Sequence, residues 1–187
     1  MGMSEKKRGL ASRIGRPLLT GALSAAAPAP APAAADGLLT LSGITGPSQV
    51  QKGAIDILNY SQAFSNTAKL AAGTTAAAGK VTCGQVVFEK LVDASSADLV
   101  RLVATGAHSA TGVFTFRRPG ANFDHYKITM VDVVVTSVRH VDSFSNEVFE
   151  QVSMLADQYQ FETASQNSGG ALSTNFFGWD CVANKKI

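Results

Sequence analysis

Between Tyr126 and Val141 apolar residues occupy both alternating sets of positions, Ile128, Met130, Val134 and Val138 on one and Val131, Val133, Val135 and Val141 on the other. β-Branched side chains dominate the run, so it predicts a strand, and a strand apolar on both faces must be covered on both. A barrel interior can cover one face, while the other needs a helix or another subunit. Ser96 to Thr105 supplies the one strong helical pattern, with Leu99, Leu102 and Val103 at helical spacing, Ser95 as N-cap, Asp98 in the first turn and Gly106 as the stop. A single short helix cannot cover a whole sheet. Glu147 to Thr163 predicts a further long strand, followed by a turn-rich stretch from Ser165 to Gly170 and a terminal strand carrying Phe176 and Trp179. The expected fold is mainly β, five to eight strands and one helix closing into a small antiparallel barrel, because closure removes sheet edges. Apolar residues left on its outside then predict controlled pairing with neighbours, and a head-to-tail contact that closes by rotation makes a ring.

Composition divides the chain of 187 residues into two parts. Residues 1–35 form a leader: basic up to Arg16, mildly apolar from Leu18 to Ala27, then Ala/Pro-rich and ending Ala33-Ala34-Ala35 before Asp36. That order matches a secretory signal, with cleavage expected near Asp36 or Gly37, and the same composition also suits an extended, solvated spacer. The apolar run is too short to span a bilayer as a helix, and Lys7-Arg8 only approximates a twin-arginine pair. Residues 36–187 are the size of one ordinary domain. A mean hydropathy of +0.11 with only 16% charged residues leaves much apolar surface to bury.

Charge follows the same division. Residues 1–36 hold five of the 16 basic residues, Lys6, Lys7, Arg8, Arg13 and Arg16, against the acids Glu5 and Asp36, which leaves eleven basic and twelve acidic residues beyond. A near-neutral domain without a basic stripe argues against nucleic-acid binding. Arg117-Arg118, before Pro119-Gly120, is the only adjacent basic pair in the domain before the tail's Lys185-Lys186, and a solvated loop tip accounts for it.

Enzyme motifs fail one by one. Gly73 and Gly79-Lys80 imitate a phosphate loop, but the spacing is one residue too long, Val81 stands where a Ser or Thr would bind magnesium, and a strand follows instead of a helix. His108, His125 and His140 are too scattered for a paired metal motif. Asp124-His125 and His140-Val141-Asp142 could supply an acid and a base, yet no serine sits in a nucleophile elbow. Cys83 and Cys181 lie 98 positions apart without metal spacing and read as two small buried hydrophobes, with a disulfide open if the chain is exported. No catalytic residue, cofactor or metal is expected.

The last ten residues, GWDCVANKKI from Gly178 to Ile187, resemble the ending of the haemolysin-coregulated protein (Hcp) family, the tube-forming component of type VI secretion. The resemblance continues through LSGITGPSQ (41–49), AIDILNYS (54–61), residues 79–108 and YKITMVDVVVTSV (126–138), and covers Asp36 to Ile187. Two departures stand out: Tyr60 and Gln62 occupy positions where the family usually carries tryptophan, and tube subunits generally lack such leaders. The resemblance implies homo-hexameric rings stacked into the inner tube of a contractile injection machine, with effectors in the lumen and spike and sheath proteins as partners. It also implies a secreted protein. The loop Ser65 to Gly79, with Ser65, Asn66, Thr67, Lys69, Gly73, Thr74 and Gly79, is expected to contact the adjoining ring. Val131, Val133 and Val135 are expected at a subunit contact or in the core, and Trp179 as the anchor of the terminal strand. The alternative is an exported Hcp-like binding module acting outside a tube.

Overall fold

A computed structural model describes residues 37–68, 79–118, 121, 123–142 and 147–187. The leader, Lys69, Gly73 and Thr74 fall outside the described residues. Two strands of 19 residues, β8 (Asp124–Asp142) and β9 (Val148–Gln166), run antiparallel and organise the sheet. On the β8 side follow β7 (His108–Arg117), β1 (Gly37–Leu41) and β2 (Ile55–Ile57). The far edge of β9 is shared. Its first half pairs with β6 (Val86–Leu91), which in turn pairs with β3 (Asn59–Ser61), and its second half pairs with β10 (Leu172–Asp180). The two-residue β11 (Lys185–Lys186) folds back on β10. A separate hairpin joins β4 (Phe64–Asn66) to β5 (Val81–Cys83).

The closed barrel expected from the sequence is not formed. The segment from Ile55 to Ser61 changes partner at Leu58, pairing with β1 before it and with β6 after it, so β2 ends the sheet's path and β6 with β3 branches from β9. Leu58 itself turns outward, 55% exposed.

The face of β8 also departs from simple alternation. Ile128 and Met130 are buried, then Val133 and Val135, because Asp132 takes a left-handed φ of 56° and resets the phase. On β9 the same reset falls at Asp157, between buried Ala156 and buried Tyr159. Since both strands shift at one level, the register survives: Val131 faces Gln158 and Val133 faces Ala156. Val134 therefore leaves the face of Ile128 and Met130 on which alternation placed it, and Val133 and Val135 join that face. A second irregularity between Val135 and Ser137 brings Val138 opposite Val152 and against the core.

The helix α1 (Ser96–Thr105) has the expected span, and Gly106 ends it with φ 65° and its N–H on Leu102 O. Leu99 and Leu102 are buried in the main core, whereas Val103 is left 37% exposed. Ser95 does not cap the helix; its hydroxyl donates to Asp93 Oδ1 at 2.6 Å. The hub at this helix start is Ser96, whose Oγ donates to Glu150 Oε1 at 2.8 Å and accepts from Lys90 Nζ at 3.2 Å. Lys90 and Glu150 are fully buried and paired at 2.5 Å, and Lys90 also donates to Leu91 O. A buried pair needs such extra hydrogen bonds to offset its desolvation. This network ties β6, β9 and α1 together.

Candidate self-assembly surface

Strand β10 lies along the second half of β9. Thr174, Phe176, Phe177 and Trp179 suit a pleated strand, and Gln166 to Leu172 make a tight turn in which Asn167 Oδ1 accepts the N–H groups of Gly169 and Ala171. One edge of β10 is paired with β9 along its length. The other edge meets β11 only at Trp179 and Asp180, with Gly178 O taken by Ile187 N–H, so from Leu172 to Phe177 it has no strand partner among the described residues. Exposed apolar side chains stand at both ends of that free stretch, with Ser173, Thr174 and Asn175 between them. Leu172 is 55% exposed and Phe176 65%, and Phe177 is also exposed.

Beside it stands the base of the long loop. Thr67 N–H donates to Lys80 O, Lys80 N–H donates to Thr67 Oγ1 at 3.1 Å, and Asn66 Oδ1 accepts Ala68 N–H at 2.8 Å. Gly79 must be glycine here, since a Cβ would collide with the backbone of Ala68 and the side chain of Asn66. The C-terminal tail fastens this hairpin to the sheet. Asn184 Oδ1 accepts Val81 N–H at 3.1 Å, and Cys181 forms a disulfide with Cys83 across a Cα separation of 6.1 Å. The two cysteines are thus a cross-link rather than two free small hydrophobes.

A groove of about 400 Å³ lies between hairpin and sheet, lined by Phe64, Ser65, Asn66, Val81, Phe161, Phe177 and Trp179. It brings together Trp179 with Ser65 and Asn66, which the sequence assigned to the loop and which lie on β4, paired with Thr82 and Val81. Trp179 is half-buried and stacks on Phe177 at 6.2 Å, and its indole N–H is buried without a partner among the described residues. Val133 and Val135 belong to the core, with Val131 half-buried on the opposite face. The free edge of β10 is therefore the feature that the sequence analysis missed. Phe176 was visible in the sequence, but which strand lies outermost is not written in any local pattern.

The histidines are not brought together. His108 Nδ1 lies 2.8 Å from Asp132 Oδ1, and His140 Nε2 lies 3.3 Å from Glu150 Oε2. Near the phase reset, desolvation and then the charge and hydrogen bond of Asp132 push the Asp157 carboxyl above its usual range. Burial likewise raises the phenols of Tyr60, Tyr126 and Tyr159, which stay neutral at physiological pH. Among the described residues no group of three or more His, Cys, Asp or Glu is placed to hold a metal ion, and no helix is long and apolar enough to cross a membrane.

The cross-link closes a large loop, with 98 positions between its ends. Chain-entropy arguments put loops of this size at about 4–5 kcal/mol and measured losses at about 2–5 kcal/mol. Replacing both cysteines by alanine should lower stability by that amount in urea titrations. The parent should lose the same amount on reduction, and the variant should not respond to reductant.

Residues 38–163 match the family described as "Type VI secretion system effector, Hcp". Among solved structures, one described as a type six secretion system protein is similar at TM-score 0.74 and 21% identity, over 81% of this chain and 99% of the other. Hcp1 from Salmonella typhimurium is similar at TM-score 0.68 and 24% identity, over 81% and 98%. A type VI secretion system effector from Yersinia pestis follows at TM-score 0.63 and 18% identity, over 78% and 99%. No curated protein sequence matches the chain.

Proposed function

Because the chain belongs to the type VI secretion Hcp family, we propose that it assembles with copies of itself into a closed ring, hexameric as in the family, and that rings stack into a tube carrying effectors in the lumen. The free edge of β10 carries this proposal. An unpaired edge with exposed Leu172, Phe176 and Phe177 is a template for uncontrolled pairing unless a neighbour covers it. Head-to-tail use of that edge, closing by rotation, covers it in every subunit. Spike and sheath proteins of the secretion machine are the further partners, and the role is structural rather than enzymatic.

In this arrangement the loop from Ser65 to Gly79 reaches the adjoining ring, with Ser65, Asn66, Thr67, Lys69, Gly73, Thr74 and Gly79 as its contact residues. Excising residues 69–78 should leave the fold and the ring intact, because Thr67 and Lys80 already hold the base together and closure cost changes only slowly with loop length. Long tubes should disappear under conditions where the parent stacks. Tubes of parental length from the shortened chain, seen by negative-stain microscopy, would remove the loop from the stacking contact.

One observation favours the second proposal, an exported Hcp-like protein that acts as a binding module outside a tube. The Cys83–Cys181 disulfide suits an oxidising compartment. Intact mass of extracellular and cellular protein distinguishes the two: loss of residues 1–35 together with an oxidised pair supports export through the leader, and a chain starting at Met1 outside the cell supports delivery by the machine itself.

A further inference from the structure

Away from the β10 edge, a cavity of about 500 Å³ opens where β3 meets the ends of β1, β7 and β8. Its walls are Ile57, Tyr60, Phe116 and Tyr126. Tyr60 stands edge-on to Phe116 at 5.1 Å, and Phe116 stacks on Tyr126 at 5.8 Å. Three basic side chains also line it: Arg117, Arg118 and His125. They are not equivalent. Arg117 is taken up by Asp124, whose Oδ1 accepts from Nε at 3.0 Å and from Nη2 at 2.6 Å. Arg118 is exposed, its carbonyl accepts Ala121 N–H, and its guanidinium has no hydrogen bond or ion pair among the described residues. The Nδ1 of His125 is buried without a hydrogen-bond partner among the described residues, an arrangement that is costly until a partner arrives.

A second hollow of about 410 Å³ adjoins the first. Arg118, His125 and Tyr126 line both, and its remaining walls include Thr163, Ser165, Ser173 and Asn175. The two unpaired bases therefore form a ridge between an aromatic hollow and one lined by hydroxyls and an amide. With Asp124 occupied by Arg117, the ridge keeps a net positive charge.

We propose that this ridge binds the terminal carboxylate of a polypeptide whose last residue is apolar. The last side chain fills the aromatic cavity, Arg118 and His125, with its proton on Nδ1, donate to the carboxylate, and the preceding backbone crosses the second hollow. Charge complementarity selects an anion, and charge-assisted hydrogen bonds from Arg to carboxylate are strong enough to fix its position. The cavity volume lies within the range of ordinary ligand sites, which combine apolar walls with a few convergent polar groups. A free small acid has the same chemistry but fills only one hollow. The proposal stands on this cavity and not on ring assembly, although Ser173 and Asn175 of the second hollow lie on β10.

The test is fluorescence polarisation of the full chain with a labelled hexapeptide ending in phenylalanine, its C-terminal amide as control and 3-phenylpropionate as competitor. The acid peptide should bind, amidation should weaken it by about tenfold or more, and 3-phenylpropionate should compete only weakly. Arg118→Gln, at an exposed position, should weaken binding by about tenfold with an unchanged melting temperature, and His125→Phe should weaken it similarly. No binding of the acid peptide, equal binding of the amide, or parental affinity in Arg118→Gln would overturn the site. Binding of 3-phenylpropionate as tight as that of the peptide would overturn the polypeptide assignment in favour of a small acid.

Discussion

Val133→Asp should unfold the protein rather than merely dissociate an assembly. Val133 is fully buried and faces Ala156 across the β8–β9 ladder and Ser109 across the β7–β8 ladder. No cation on the described network reaches it, since Lys90 is already bound to Glu150 and Asp93. An unpaired buried carboxylate costs several kcal/mol, and losing the valine adds more, so the total is about 4–5 kcal/mol or higher. That is most of the stability of an ordinary domain. Circular dichroism should lose its cooperative transition and soluble yield should fall. Val131→Asp, at a half-buried position on the other face, should keep the β signature with a much smaller loss. A Val133→Asp chain that melts within a few degrees of the parent would show that the phase reset at Asp132 has been misplaced.

Phe176→Lys should do the opposite, abolishing assembly while leaving the fold. Phe176 is the most exposed aromatic residue described on the β10 edge, and its register partner on β9 is Glu162. A lysine there stands beside the Lys127–Glu162 ion pair and places a charge on the edge, the device by which natural sheets block strand addition. Losing one buried phenylalanine removes about 1.5–3 kcal/mol per contact, roughly a ten- to hundredfold weaker association at each interface of a ring. Light scattering should report monomers with a melting temperature near that of the isolated subunit. Parental assemblies from Phe176→Lys would move the interface elsewhere.

What was legible in the sequence followed periodicity. The span of α1 and its stop at Gly106 were readable because Leu99, Leu102 and a left-handed glycine cap are local signals. Strand-rich character was equally plain in the valines of β8. The faces of β8 were not, because a single aspartate with positive φ resets the alternation and nothing in the letters around Asp132 marks it. Pattern also could not show that Lys90 and Glu150 are buried, since long charged residues read as solvated until partners from three elements surround them. The disulfide joins positions too distant for any spacing rule. Barrel closure was inferred from the need to remove edges, whereas the chain changes partner at Leu58 and leaves the edge of β10 open. That open edge is the physical reason to expect a neighbour.

The most direct test of self-assembly is negative-stain microscopy of the purified full chain, with light scattering on the same sample. Closed rings with a central hole and a mass about six times that of the 19.4 kDa chain are expected. A monodisperse monomer at tens of micromolar, with no rings on the grid, would contradict it.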